Sequence, residues 1–265
     1  MLAALDALGG YILYLLETLG RYGRMCGASI TMAFRRPFRV HMIIEQAVGV
    51  GVNSSVIILL TSLFTGMVFS LQLGSAFQRF GAEGLIGGAT MLALVRELGP
   101  VLTALMVTGR CGSAMAAELG TMRVTEQIDA LGAMGIDPVK YLVVPRVIAT
   151  TLVVPVLTLI FVFVGGVGSY FVSTVILNIS PGGWWQNVIE LIDMGDLNNM
   201  WIKSTIFGFT LATVGCYVGF FTTGGARGVG RSTTRSVVTA SVLVLVGDYF
   251  ITSLLLNLGI GGSRS

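Results

Sequence analysis

Between Glu45 and Arg79 the chain carries no charged residue, and the middle of that run, residues 48–73, is predominantly apolar. A bilayer needs ~20 such residues in a row, and a backbone in lipid has to satisfy its own hydrogen bonds, which a helix does. The feature therefore fixes this segment as a membrane helix. Four more runs meet the same test, at 85–119, 143–179, 201–221 and 237–258. Composition agrees: 11% of the 265 residues are charged, against roughly 25% in soluble domains. The sequence predicts an all-α integral membrane protein with five spans, no soluble domain and no internal repeat.

The spans are uneven. At 1.5 Å per residue the second would measure about 52 Å, more than a ~30 Å hydrocarbon core. It has to protrude from the bilayer or bend at Gly99-Pro100, where proline removes a backbone hydrogen bond. The third contains Pro145 and Pro155. Ser180-Pro181-Gly182-Gly183-Trp184-Trp185 reads as a turn with interfacial tryptophans, and its continuation holds Glu190, Asp193 and Asp196. Before the first span, residues 5–34 form an amphipathic pattern. Asp6, Glu17, Arg21 and Arg24 share one side, and Leu5, Leu8, Leu15, Leu19 and Cys26 fill the other. With the basic knot Arg35-Arg36-Pro37-Phe38-Arg39 this predicts an interfacial helical segment over 5–40.

Lys and Arg set the orientation. Twelve lie on one side: Arg21, Arg24, Arg35, Arg36, Arg39, Arg110, Arg123, Lys140, Arg146, Arg227, Arg231 and Arg235. Only Arg79 and Arg264 lie on the other. The N-terminus is expected in the cytoplasm and the C-terminus outside it.

The segment from Arg96 to Pro138 is the densest in information. It holds two rows of small residues spaced by four, Gly109/Ser113/Ala117 and Gly112/Ala116/Gly120, a pattern that admits close helix approach. It ends in a short amphipathic stretch, 124–134, with Val124, Ile128 and Leu131 on one face and Glu126, Asp129 and Ala133 opposite. Lying between two spans, such a helix can rest at the interface and offer its polar side to a soluble partner; a plain solvated connector fits the pattern equally.

Here the chain resembles the MlaE/YrbE-type permeases, the membrane subunits of ABC systems that move lipids with MCE proteins. The resemblance rests on Arg96-Glu97-Leu98-Gly99-Pro100, Gly109-Arg110, Gly112-Ser113-Ala114, Ala117-Glu118-Leu119-Gly120, Met122-Arg123, Thr125-Glu126-Gln127 and Asp137-Pro138. Pro145-Arg146, Ile202-Lys203-Ser204 and Thr233-Thr234-Arg235 extend it over nearly the whole chain. It implies that 124–134 is a coupling helix docking on a separate ATPase through Arg123, Glu126, Gln127 and Asp129. It further implies a homodimer, two ATPases binding ATP and Mg²⁺, a hexameric MCE protein, in some systems a STAS-domain subunit, and a bacterial inner membrane. Phospholipid is the implied cargo. No cofactor is expected in this chain.

Arg96 and Glu97 sit about 18 Å into the second span. Charges at that depth face a partner or a wet cavity, and neighbours in sequence point about 100° apart. Asp248, at similar depth in the fifth span, could pair with Arg96, and Lys203 could meet a lipid headgroup or Glu97. Either an ion-pair network or the polar end of a lipid cavity fits. The walls of such a cavity would include Leu98 and the aromatics Phe69, Phe77 and Phe80; the resemblance supports the glutamate and apolar residues near the first outer loop.

Other chemistries find little support. Cys26, Cys111 and Cys216 show no metal spacing and His41 is the single histidine. A net charge of +3 with scattered basic residues gives no nucleic-acid signature, and Asp6 and Glu17 interrupt any signal peptide. Gly225-Ala-Arg-Gly-Val-Gly-Arg231-Ser232 nearly reads as a P-loop, but Arg231 stands where lysine belongs and a membrane helix precedes it. A flexible basic turn between the fourth and fifth spans is expected instead. An ion-coupled secondary transporter would show inverted repeats. A membrane enzyme would need more than Glu97 and Asp248.

Overall fold

The computed structural model describes residues 2–33 and 39–257. Arg35 to Phe38 and Arg264 lie outside the described residues, as do the side chains of Leu5, Asp6, Leu8 and Leu15. Among the described residues all long elements are helices. They are α1 (Leu2–Ala33) and α2 (Val40–Gln78), α3 (Glu83–Val124), α4 (Gln127–Ala133), α5 (Val139–Ile176), α6 (Pro181–Leu191), α7 (Met194–Phe220) and α8 (Gly225–Asn257). Five of them, α2, α3, α5, α7 and α8, are long and apolar enough to cross a membrane. The protein is an all-α integral membrane protein.

α5 and α7 form the centre, with α2 against α5 and with α3 and α8 against α7. The α2–α5 seam follows from sequence spacing. Val50, Ser54, Ile58, Ser62, Gly66, Ser70 and Gly74, each four residues on, are the buried positions of α2. Val40, Ile44, Val48, Val52, Val56, Leu60, Phe64 and Val68, also four apart, are exposed. At 3.6 residues per turn each set forms a stripe. Small residues on the buried stripe let backbones meet: a Cβ added to Gly66 would sit 1.9 Å from Gly165 O, and one on Gly168 2.4 Å from Leu63 O. Ser70 Oγ and Ser169 Oγ close the seam at 2.7 Å.

The small row Gly112/Ala116/Gly120 packs inside the chain. A Cβ on Gly215 of α7 would lie 3.1 Å from Gly112 O, and one on Gly219 2.9 Å from Ala116 O. The other row, beginning at Gly109, meets nothing there.

At 42 residues α3 runs for about 63 Å. It widens into π-turns at Leu94–Leu98 and Thr108–Gly112. α1 touches the bundle through Tyr22, whose hydroxyl lies 2.8 Å from Thr213 Oγ1 and whose ring meets Tyr217 edge-on. Burial pushes the nearby Cys26 thiol up.

Four sequence expectations need correction. Residues 225–232 are the first turns of α8, not a flexible turn; the reversal is made by Gly224 and Gly225, both at positive φ. The 180–185 segment is mostly helix, begun by Ser180, whose Oγ accepts from Gly183 N–H. Trp184 is buried against Gly87 and Tyr170, and only Trp185 stays exposed. Arg146, counted as a loop residue, is buried, donating to Leu142 O and pairing with Glu118 at 2.9 Å. Finally, Val124 ends α3, while Glu126 at φ 61 starts α4 in the left-handed region. The 100° progression does not run through that break, so Val124 is exposed while Ile128 is buried.

Candidate functional site

Pro100 has no N–H, so in a regular helix the carbonyl of Arg96, four residues back, loses its partner. The π-turn just before it has Gly99 N–H reaching Leu94 O. Such turns commonly mark functional positions. Lys203 of α7 fills the gap: its Nζ donates to Arg96 O at 3.0 Å and to Glu97 Oε2 at 2.6 Å, and it lies 3.0 Å from Asp248 Oδ1 of α8. Two of the ammonium's three protons go to α3 acceptors, and Asp248 adds an ion pair without a hydrogen bond. With 2% exposure, Lys203 ties α3, α7 and α8 together by charge.

Arg96 pairs elsewhere. Its Nε donates to Asp196 Oδ1 at 2.5 Å, and Asp196 is 1% exposed. The proposed Arg96–Asp248 pair is therefore not formed. Asp248 faces Lys203 instead, 3.0 Å from its Nζ, where α3, α7 and α8 pack against one another. Of Lys203's two sequence options, the structure shows the pair with Glu97. Asp196 itself is held by a capping box: the Asp193 side chain accepts from Asp196 N–H, and Asp193 N–H donates to Asp196 Oδ2 at 3.1 Å. Among the described residues no partner takes the Arg96 Nη groups.

A pocket of about 110 Å³ opens beside this cluster, lined by Arg96, Glu97, Asn199, Lys203, Leu255 and Leu256 among others. Asn199 is 7% exposed and its Oδ1 has no partner among the described residues, leaving an acceptor for a ligand or water. Glu97 stays 44% exposed on its side chain. The arrangement presents a guanidinium, a carboxylate and an amide beside two leucines, a combination suited to a group with a charged head and an apolar tail.

The four charges named from sequence, Arg96, Glu97, Lys203 and Asp248, thus come together. Leu98 is half-buried against the main core, and Phe69, Phe77 and Phe80 lie on α2 and just past its end; none of the four lines the pocket. Asp196 and Asn199 were missed. The signal for Asp196 was the Asp193-x-x-Asp196 spacing at a helix start.

On the other side of the bundle, Ile128 is buried and Glu126, Gln127 and Asp129 are exposed. Arg123 Nη1 donates to Asp129 Oδ1 across the break between α3 and α4. The four residues expected to couple thus form one polar surface, two of them paired to each other. Among the described residues no His/Cys/Asp/Glu cluster has metal-site geometry.

Five helices able to cross a membrane, three of which line the charged pocket, make this a multi-pass membrane protein. The model of the permease MlaE family matches residues 43–254, and the chain belongs to that family. It is 39% identical over 249 residues to a probable ABC transporter permease protein of Rickettsia bellii, covering 94% of this chain and 96% of the relative. It is 35% identical over 259 residues to the intermembrane phospholipid transport system permease protein MlaE of Haemophilus influenzae, covering 96% and 98%. TRIGALACTOSYLDIACYLGLYCEROL 1 of Arabidopsis thaliana, a chloroplastic protein, is 42% identical over 210 residues, 79% of this chain and 60% of that one. This is an ABC transporter permease.

Proposed function

We propose that the chain moves phospholipid between the bacterial inner membrane and an MCE-protein conduit as one half of a homodimer. The carrying observation is the Lys203 cluster, a buried charge centre opening on a pocket with both polar and apolar walls. Arg96 and Asn199 receive the headgroup and Leu255 and Leu256 the start of the acyl chains, with Glu97 and Lys203 setting the local charge. Leu98, Phe69, Phe77 and Phe80 border the path to the MCE protein. Energy comes from a separate ATPase, which binds the ATP and Mg²⁺ and docks on Arg123, Glu126, Gln127 and Asp129; this chain carries no cofactor. The N-terminus is cytoplasmic and the C-terminus periplasmic. The exposed apolar stripe of α2 and the exposed face of α8 supply surface for the second copy or for lipid, and in some systems a STAS-domain subunit joins the assembly.

The test is photocrosslinking in the assembled transporter. A photoreactive residue at position 256 should capture phospholipid, and Arg96→Gln should remove most of that capture while leaving capture at position 242 unchanged. Equal capture at both positions, insensitive to Arg96→Gln, would place the path elsewhere.

A further inference from the structure

A second cavity, far from Lys203 in the fold, lies where α1, the end of α7 and the start of α8 meet. It measures about 570 Å³, and its lining includes Arg21, Arg227, Arg231, Arg235, Thr222 and Ser232. The three α8 arginines recur every four residues and so share one face. All three are exposed, and among the described residues none has a carboxylate partner. Arg21 has Glu17 at 3.6 Å and the Phe221 ring at 5.8 Å, and among the described residues its buried Nε has no hydrogen-bond partner. Like charges four apart on a helix repel each other, and among the described residues no carboxylate offsets them here.

Two further features say what would. Gly224 and Gly228 also line the cavity. A Cβ on Gly228 would lie 1.8 Å from Thr223 O, so the chain folds tightly onto the first turn of α8, where Gly228 N–H donates to Gly224 O at 3.2 Å. A shallow, open hollow along the exposed face of α8 adjoins it, shares Arg227, Arg231 and Arg235, and continues to Val238 and Thr239. Arg235 and Arg231 fall about 3 and 9 Å before residue 237, where the apolar section of α8 begins, which is headgroup depth for a bilayer with this helix across it.

We propose that this cavity, with the hollow beside it, binds a phosphate-bearing anion, in the bilayer the headgroup of an anionic phospholipid, between Arg21 and the Arg227/Arg231 face, with an acyl chain passing Val238. The site goes beyond the transport reading and does not depend on it. It gives the bundle a lipid-specific anchor at its arginine-rich end.

The experiment uses the full chain in a neutral detergent, titrated with short-chain phosphatidylglycerol, short-chain phosphatidylcholine or inorganic phosphate, with binding followed by native mass spectrometry. Phosphatidylglycerol should bind about tenfold or more tighter than phosphatidylcholine, less so at high salt. Arg227→Gln with Arg231→Gln should abolish the preference, and Arg227→Lys with Arg231→Lys should retain most of it. Both variants should unfold at the parent's temperature. Val238→Glu should weaken phosphatidylglycerol but not inorganic phosphate; if inorganic phosphate binds as well as the lipid and Val238→Glu affects neither, the anion is soluble and the lipid source is wrong. Equal binding of the two lipids, or a preference that survives the glutamine variant, overturns the site. So does a glutamine variant that loses a co-purifying protein while keeping its lipid preference, since the arginines would then be a protein-docking face.

Discussion

The α2–α5 seam and the α3–α7–α8 junction hold helices together by opposite means. At the seam no charge takes part: glycine and serine bring two backbones within van der Waals contact, and one serine pair closes it. At the junction long ionic side chains span the gap, and Lys203 meets three oxygens from two helices. In lipid, close packing is a main source of helix association, whereas buried charge is expensive unless fully paired. The seam is thus intolerant of size and indifferent to charge, and the junction is the reverse.

The largest effect is expected at the junction. Lys203→Met leaves Glu97 and Asp248 without their cation and Arg96 O without its donor, and breaking a buried pair from one side costs about 3–5 kcal/mol. Thermal unfolding in detergent would read this as a severe loss. Adding Glu97→Gln and Asp248→Asn to Lys203→Met should recover most of the stability, because the stranded charges go too, but not transport. A single variant as stable as the parent would mean that the ions do not hold these helices.

A smaller loss, about 1–3 kcal/mol, is expected from Gly66→Ala, whose Cβ would meet Gly165 O. Gly109→Ala, with open space around it, should change stability by no more than ~0.5 kcal/mol. Ala116→Leu, on the buried row facing Gly219, should behave like the seam variant and destabilise the monomer fold itself. If Gly66→Ala and Gly109→Ala unfold alike, close approach does not set the seam.

The same contrast explains what could be read in advance. The charges of the junction stood out because they interrupt apolar sequence, so Arg96, Glu97, Lys203 and Asp248 were legible as a group. Lys203 with Glu97 was among the pairings offered, but the partners of Arg96 and Asp248 were not, since those depend on how α7 and α8 are rotated against α3. Asp196 was assigned to an outer loop; the cap at Asp193 starts α7 seven residues before the expected Trp201 and carries Asp196 into the bundle. The α2 seam was hidden differently. Its serines and glycines sit every fourth residue in plain view, but inside a run already classed as apolar they carry no contrast. The break at Thr125–Glu126 escaped a wheel that assumes uninterrupted helix.

The smallest stability effect is expected where an ion pair faces water. Arg123 and Asp129 pair across the α3–α4 break, the same chemistry as Lys203 with Glu97, yet the Asp129 side chain is 61% exposed. Solvent screens such a pair, and exposed pairs contribute about 0–1 kcal/mol. Glu126 makes no side-chain bond at the cap it occupies, and the apolar anchor of α4 is Ile128, buried beneath it. Glu126→Lys with Asp129→Lys therefore reverses the charge of this surface without touching what holds the helix down. The unfolding temperature should stay close to the parent's, while co-purification of the proposed ATPase and lipid transport should both fall sharply. An Ile128→Ala variant gives the converse reading: it loosens α4 by roughly 2–5 kcal/mol at a buried site while keeping every surface charge. If the charge-reversed protein retains its ATPase and the Ile128 variant alone loses it, docking follows the seating of α4 rather than its acidic face, and the residues assigned to coupling must be redrawn.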